Sequence, residues 1–164
     1  ITFMENHSYQ LNYTSYASSA ELNEEDAKLL VAAREAAHRA YAPYSKFSVG
    51  SAILLENGVV ITGNNQENAA YPSGICAERV AMFYASSQYP GVKAIKVAVT
   101  AFSKEFPVNA PVAPCGSCRQ VLSEYEKLHR ADIELILQGQ EGSIYRLKNV
   151  SSLLPLAFTS DDLS

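Results

Sequence analysis

The chain has 164 residues, 48% of them hydrophobic and 18% charged, which suits one domain with a real core and leaves little length for a second. Thirteen basic against seventeen acidic residues give a net charge of −4, which argues against a nucleic-acid surface built on bulk positive charge. No apolar stretch approaches the roughly 20 residues of a membrane span, and ITFMENHSYQ lacks the basic-then-apolar plan of a signal peptide, so a cytoplasmic location is expected.

Residues 1–22 are rich in Asn, Ser and Tyr with weak periodicity and read as a polar arm, leaving 23–164 as a single domain. Asn23 precedes Glu24-Glu25-Asp26, a cap with acids in the first turn. Leu29, Leu30, Ala33, Ala36, Ala37 and Ala40 follow at helical spacing, which predicts a helix over about 24–40. Ala42-Pro43-Tyr44-Ser45 breaks it. FSVGSAILLE (47–56) reads as a strand, Asn57-Gly58 as a hairpin turn, and 59–65 as the returning strand. Cys76 leads a second helix, with Ala77, Val80, Ala81 and Tyr84 on one face and an end near Ser87. A buried strand over 92–102 and the loop SKEFPVNAPVAP follow. Pro114 then precedes a third helix over about 115–129, marked by Val121, Leu122, Tyr125 and Leu128. Strands over 132–139 and 143–148 and a terminal turn or short helix in SSLLPLAF complete the chain. The order α-β-β-α-β-α-β-β predicts a three-layer α/β/α fold with a mixed five-stranded sheet.

Three cysteines, Cys76, Cys115 and Cys118, are an odd number, which fits a reducing compartment better than a disulfide scaffold. Each cysteine site opens a helix, where partial positive charge and free N–H groups favour thiolate over thiol. Cys115 and Cys118 are three apart and share one face of the first turn. With Cys76 they offer three sulfurs to one Zn²⁺ and leave a fourth position open, the pattern of catalytic rather than structural zinc. A lone C-x-x-C is also compatible with buried small hydrophobes, a redox pair, or a closed site completed by a histidine. His129 lies roughly 16 Å along the helix from Cys118 and is excluded as that ligand if the helix is continuous. His38 stays open. Glu78, two residues after Cys76, can approach a metal-bound water and move its proton.

Cys76-Ala77-Glu78 followed by Pro114-Cys115-Gly116-Ser117-Cys118 resembles the three-cysteine form of the zinc nucleoside deaminase signature. That signature is an established one, and the roles below are carried over from it. YAPYSKFSVGSAIL (41–54), GNNQENAAYPSGICAER (63–79), PCGSCRQVLSE (114–124) and LLPLAF (153–158) are similar in content and order to blocks of the small homotetrameric cytidine deaminases. The likeness runs from about residue 24 to the C-terminus. Two features depart from the pattern: the arm 1–22 and the long Cys76-to-Cys115 separation carrying SKEFPVNAPVAP. They bear on the rim of the site, not on the zinc ligands.

The resemblance implies one Zn²⁺ per chain on Cys76, Cys115 and Cys118. It implies hydrolytic deamination of cytidine and 2′-deoxycytidine to the uridines with release of ammonia, in pyrimidine salvage. Glu78 would be the catalytic proton shuttle, serving N3 and then the departing amine. Ala77 would bind the pyrimidine carbonyl through its N–H, Phe47 would stack on the base, and Asn65 and Glu67 would hold the ribose 3′-hydroxyl. Tyr71 and Phe158 match positions that complete a neighbouring subunit's site, which implies a homotetramer with shared active sites. Arg79, three residues after Cys76, can lean back to its sulfur and withdraw charge from the metal, with Arg119 and Gln120 as lesser candidates. The small-molecule partner is then a free nucleoside, with no nucleic acid and no membrane. A deaminase of another amino-heterocycle, such as an aminoacyl-nucleoside or guanine, is the enzymatic alternative. A closed structural zinc module is the non-enzymatic one.

Overall fold

The structure, a computed structural model, describes residues 4–163. In chain order its strands and helices are β1 (Thr14–Tyr16), α1 (Glu24–Ala37), β2 (Phe47–Leu55), β3 (Val60–Asn64), α2 (Ala77–Gln88), β4 (Ala94–Ser103), α3 (Gly116–His129), β5 (Glu134–Gln138) and β6 (Ile144–Leu147). They form one sheet of order β1-β6-β5-β4-β2-β3. Only β4 and β5 run parallel, and α3 supplies the crossover that such a pair requires.

The three-layer α/β/α arrangement around a mixed sheet is as expected, but the sheet has six strands rather than five. The sixth, β1, comes from the segment read as a polar arm and pairs antiparallel with β6. Three residues are too few to show alternation, and what secures them is distant in sequence. The Tyr13 ring lies 4.6 Å from that of Tyr145, centroid to centroid. Helix α1 ends at Ala37, short of the expected 40. There Arg39 N and Ala40 N donate to Ala36 O and Ala37 O in tight i→i+3 turns that redirect the chain before Pro43.

Local chemistry explains the element starts. Asn23 Oδ1 accepts from Asp26 N at 2.8 Å, the cap expected for α1. Gly58, at φ +82, makes the β2–β3 turn. Strand alternation then sorts the side chains into two cores. Ile53, Leu55, Val97, Val99, Leu135 and Leu137 pack with Met82, Ala85 and Leu122 of α2 and α3. Ala52, Leu54, Ala98 and Ile136 point the other way, onto Leu29, Leu30 and Ala33 of α1. The α1 face is lined by small residues because the helix lies close: a Cβ at Gly50 would fall 1.9 Å from Ala33 O.

Two buried carboxylates tie helices to the sheet and lie outside the sequence expectations. Asp26 is fully buried, with Lys96 Nζ at 2.7 Å and Arg146 Nη1 at 3.5 Å. Burial works against the Lys96 charge, yet hydrogen bonds to Asp26 and Glu25 outweigh it and hold the ammonium above the ordinary lysine range. Glu126 near the end of α3 accepts from Ile133 N, Val150 N and Ser151 N, which pins the entry to β5 and the 3₁₀ turn Ser151–Leu153.

Candidate metal centre and active site

The N-termini of α2 and α3 bring the three cysteines together. Cys76 is the N-cap of α2, Cys115 is the N-cap of α3, and Cys118 lies in the first turn of α3. Cys76 Sγ and Cys115 Sγ are 3.7 Å apart, Cys115 Sγ and Cys118 Sγ are 3.5 Å apart, and all three lie within 4.8 Å of one another. Zinc bound tetrahedrally at about 2.3 Å from each sulfur needs sulfurs about 3.8 Å apart, a spacing that the Cys76–Cys115 and Cys115–Cys118 pairs already approach. Among the described residues no His, Asp or Glu joins this cluster. His38 packs instead on Phe102, with ring centroids 4.7 Å apart, and His129 sits at the far end of α3 beside Tyr125. Three ligands with a fourth position free is the catalytic arrangement.

Packing beneath the helices sets this geometry. Gly63 on β3 lies against the first turns of α2: a Cβ there would fall 2.5 Å from Ala77 O and 2.6 Å from Ala81 N, both backbone atoms. Gly63→Ala must therefore push α2, and Cys76 with it, off the sheet. It is expected to cost about 1–3 kcal/mol of stability and to weaken metal retention. Denaturant unfolding and metal content after dialysis measure the two effects, and a variant matching wild type in both would refute this account of Gly63. At the start of α3, Arg119 Nε donates to Pro114 O at 2.7 Å and Nη1 to Leu153 O at 3.0 Å. Arg119 thus clamps the C-x-x-C turn to the C-terminal segment rather than touching a sulfur, and Gln120 donates to Phe158 O at 2.8 Å.

Arg79 Nη2 donates to Cys76 Sγ at 3.6 Å, back across one helical turn. The negative charge of the sulfur cluster gathers first on Cys76. Its thiol is pulled down to about 5 by the Cys118 hydrogen bond, against burial, with Arg79 and Cys115 adding to the effect. Cys118 is pushed up by that same bond to Cys76 and by burial. Glu78 is 4% exposed. Burial pushes its carboxyl above the ordinary glutamate range, the Cys76 charge pushes the same way, and a hydrogen bond from its own backbone partly offsets both. The cluster therefore holds a nearly dry carboxylate beside its sulfurs.

The other candidate residues form two groups. Phe47 opens β2, and a polar frame holds the turn before it. Asn65 Oδ1 accepts from Val49 N at 2.7 Å, and its Nδ2 donates to Phe47 O at 2.9 Å. Glu67 Oε2 accepts from Tyr44 N at 2.9 Å and Ser45 N at 3.2 Å, and Oε1 accepts from the Ser45 hydroxyl. Although what burial it has raises the Glu67 carboxyl, the bonds from Ser45 and Tyr44 win and hold it below the usual range. These bonds support Lys46 in a left-handed conformation, φ +56, immediately before Phe47. Ser45, whose Oγ also accepts from Phe47 N at 3.0 Å, is a residue that sequence reasoning missed. Its one signal was a hydroxyl two residues before an aromatic strand start, a common turn motif. Ala77 is fully buried as the first residue of α2. Tyr71 and Phe158 are 90% and 60% exposed.

Comparisons with known proteins agree with this geometry. Residues 23–130 match the family model described as the cytidine and deoxycytidylate deaminase zinc-binding region. The chain is 44% identical to the cytidine deaminase of Halalkalibacterium halodurans over 83% of its own length and 96% of that protein's. It is 35% identical to a probable cytidine deaminase of Dictyostelium discoideum, over 85% and 88% of the two chains. Among solved structures, cytidine deaminase from Burkholderia pseudomallei superposes with a TM-score of 0.70 at 37% identity, over 84% of this chain and all of that one.

Proposed function

Since this chain belongs to the cytidine and deoxycytidylate deaminase family, and is thereby a hydrolase acting on a cyclic amidine, we propose that its substrates are cytidine and 2′-deoxycytidine. Water and the nucleoside give the corresponding uridine and ammonia: the water oxygen becomes the C4 carbonyl oxygen, and the bond from C4 to the exocyclic nitrogen breaks. The carrying observation is the convergence of three cysteine sulfurs beside the buried Glu78. Cys76, Cys115 and Cys118 would hold one zinc ion per chain, which when bound would supply Lewis-acid polarisation of a water.

Everything else falls to the chain's own side chains. Glu78 takes one proton from water and passes it to N3 of the base, then takes the second from the hydroxyl now on C4 and delivers it to the departing amine. Its dry setting matches this task, because a carboxylate lifted above its ordinary range by burial is a stronger base and takes the proton of water more readily. Arg79 draws charge off the Cys76 sulfur, which offsets the donation of three thiolates to a single metal. The Ala77 N–H, at the start of α2, holds the pyrimidine carbonyl. Phe47 stacks on the base. Asn65 and Glu67, whose bonds to the 44–49 segment fix their positions, turn their remaining hydrogen-bonding capacity to the ribose 3′-hydroxyl. The exposed rings of Tyr71 and Phe158 complete a neighbouring subunit's site in a homotetramer. The segment 23–164 is the catalytic domain, and pyrimidine salvage in the cytoplasm is the proposed setting; no helix of the described residues is long and apolar enough to cross a membrane.

Glu67 near the sugar and a net charge of −4 disfavour phosphorylated or polymeric substrates. Turnover of cytidine, 2′-deoxycytidine, cytidine 5′-monophosphate, guanine and an aminoacyl-nucleoside, followed by ultraviolet absorbance on the sedimenting active species, tests these proposals together. The free nucleosides are expected to exceed the monophosphate in kcat/KM by at least tenfold. Equal efficiency on the monophosphate overturns the nucleoside preference, preference for another heterocycle overturns the substrate, and a fully active monomer overturns the shared site.

A further inference from the structure

The loop between β4 and α3 carries an aromatic ring to Phe47. The Phe106 ring lies parallel to that of Phe47, with an interplanar angle of 8° and centroids 6.2 Å apart. Parallel, offset rings within about 4.5–7 Å attract one another beyond their apolar contact. Phe106 is nonetheless 45% exposed, so it stays in place without being part of the core.

The loop that holds it is firmly seated. Glu105 N donates to Ser103 Oγ at 3.1 Å on one side of Phe106. On the other side Val108 is buried, and Val108 O accepts from Gln140 N at 2.6 Å. A Cβ at Gly139 would fall 2.2 Å from Val108 O, and one at Gly142 would fall 2.4 Å from Asn109 O. Two glycines of the β5–β6 connection thus let the loop settle directly on the sheet's end. The Phe47 backbone, for its part, is held by Asn65 and Ser45. Among the described residues Phe106 is the aromatic ring paired with it.

We propose that Phe106 is a specificity-determining, positioning residue of the base pocket: stacked on Phe47, it sets the plane of the ring against which the pyrimidine lies. This rests on the reading that Phe47 stacks on the substrate base. Phe106 acts on ground-state placement of the base and leaves proton transfer to Glu78, so its loss raises KM more than it lowers kcat.

A double-mutant cycle with Phe47→Leu, Phe106→Leu and the pair, measured with cytidine, tests the proposal. Phe106→Leu keeps apolar bulk and removes the π face. It is expected to raise KM by about 5–10-fold, with kcat within about twofold and an unchanged unfolding midpoint, and Phe106→Tyr should restore the wild-type KM. In the Phe47→Leu background the same substitution should change KM by less than twofold, because its partner is already gone. An unchanged KM in Phe106→Leu, or an equal rise in both backgrounds, overturns the role of Phe106. A wild-type enzyme that ignores cytidine overturns the substrate reading instead.

Discussion

Glu78→Gln is expected to keep the metal and abolish the reaction. The side chain is 4% exposed and borders the sulfur cluster, so the amide fills the same space while losing the ability to accept and return a proton. Removing a positioned general acid–base costs about 10²–10⁴-fold in kcat. Stability is expected to hold or rise slightly. Burial lifts the Glu78 carboxyl above its unfolded value, so its contribution is fully present only below the ordinary glutamate range and is lost as pH rises through the lifted value. Above that window the charged form is a cost, which a neutral glutamine lacks. Zinc content and loss of cytidine absorbance, measured side by side, check the prediction. One zinc per chain in both proteins with turnover confined to wild type supports the assignment. Equal turnover means that Glu78 moves no proton, and zinc in both proteins without any turnover moves the substrate to another amino-heterocycle.

Cys115→Ser is expected to lose both metal and activity while remaining folded. Cys115 is exposed, in contrast to the fully buried Cys118, so its sulfur can be replaced without opening the core around Leu122. Serine is a far harder and less acidic donor than a thiolate, and two sulfurs hold zinc poorly. Bound metal should fall from one per chain to well below half after dialysis, with turnover falling in proportion. Because the metal binds the folded cluster, removing it with a chelator should lower the melting temperature of wild type by several degrees and leave Cys115→Ser unmoved. Undiminished zinc in the variant would remove Cys115 from the ligand set, and a chelator-insensitive wild type would deny the metal a place at this cluster.

How much of this was legible in advance depended on sequence distance. Asn23 and Asp26 are three residues apart, as are Cys115 and Cys118, and Arg79 is three from Cys76. Such pairs can meet whenever a helix forms, so the cap and the C-x-x-C face could be placed from spacing alone, and the arginine from spacing together with the family resemblance. The hairpin at Asn57-Gly58 was local in the same sense. β1 was not legible, because its three residues become a strand only when β6 offers an edge more than a hundred positions later. Nor was the span of contacts from Asn65 and Glu67 to residues 44–49, which depends on β3 returning beside β2. Gly63 carried no sign that a helix would rest on it at backbone contact. Phe106 lay in a stretch notable only for its length.

By itself, then, the sequence determined the periodicities, the caps and the three sulfurs with their neighbouring carboxylate, since side-chain spacing along one helix or strand follows from its own geometry. Only the tertiary structure decided that Cys76 meets Cys115 across 39 positions, that neither His38 nor His129 closes the fourth coordination position, and that Phe106 stacks on Phe47. Those juxtapositions arise where helices are pressed onto the two faces of a sheet to bury apolar surface. Burial of this kind is nondirectional, and it becomes specific only through the close approach that residues such as Gly50 and Gly63 permit.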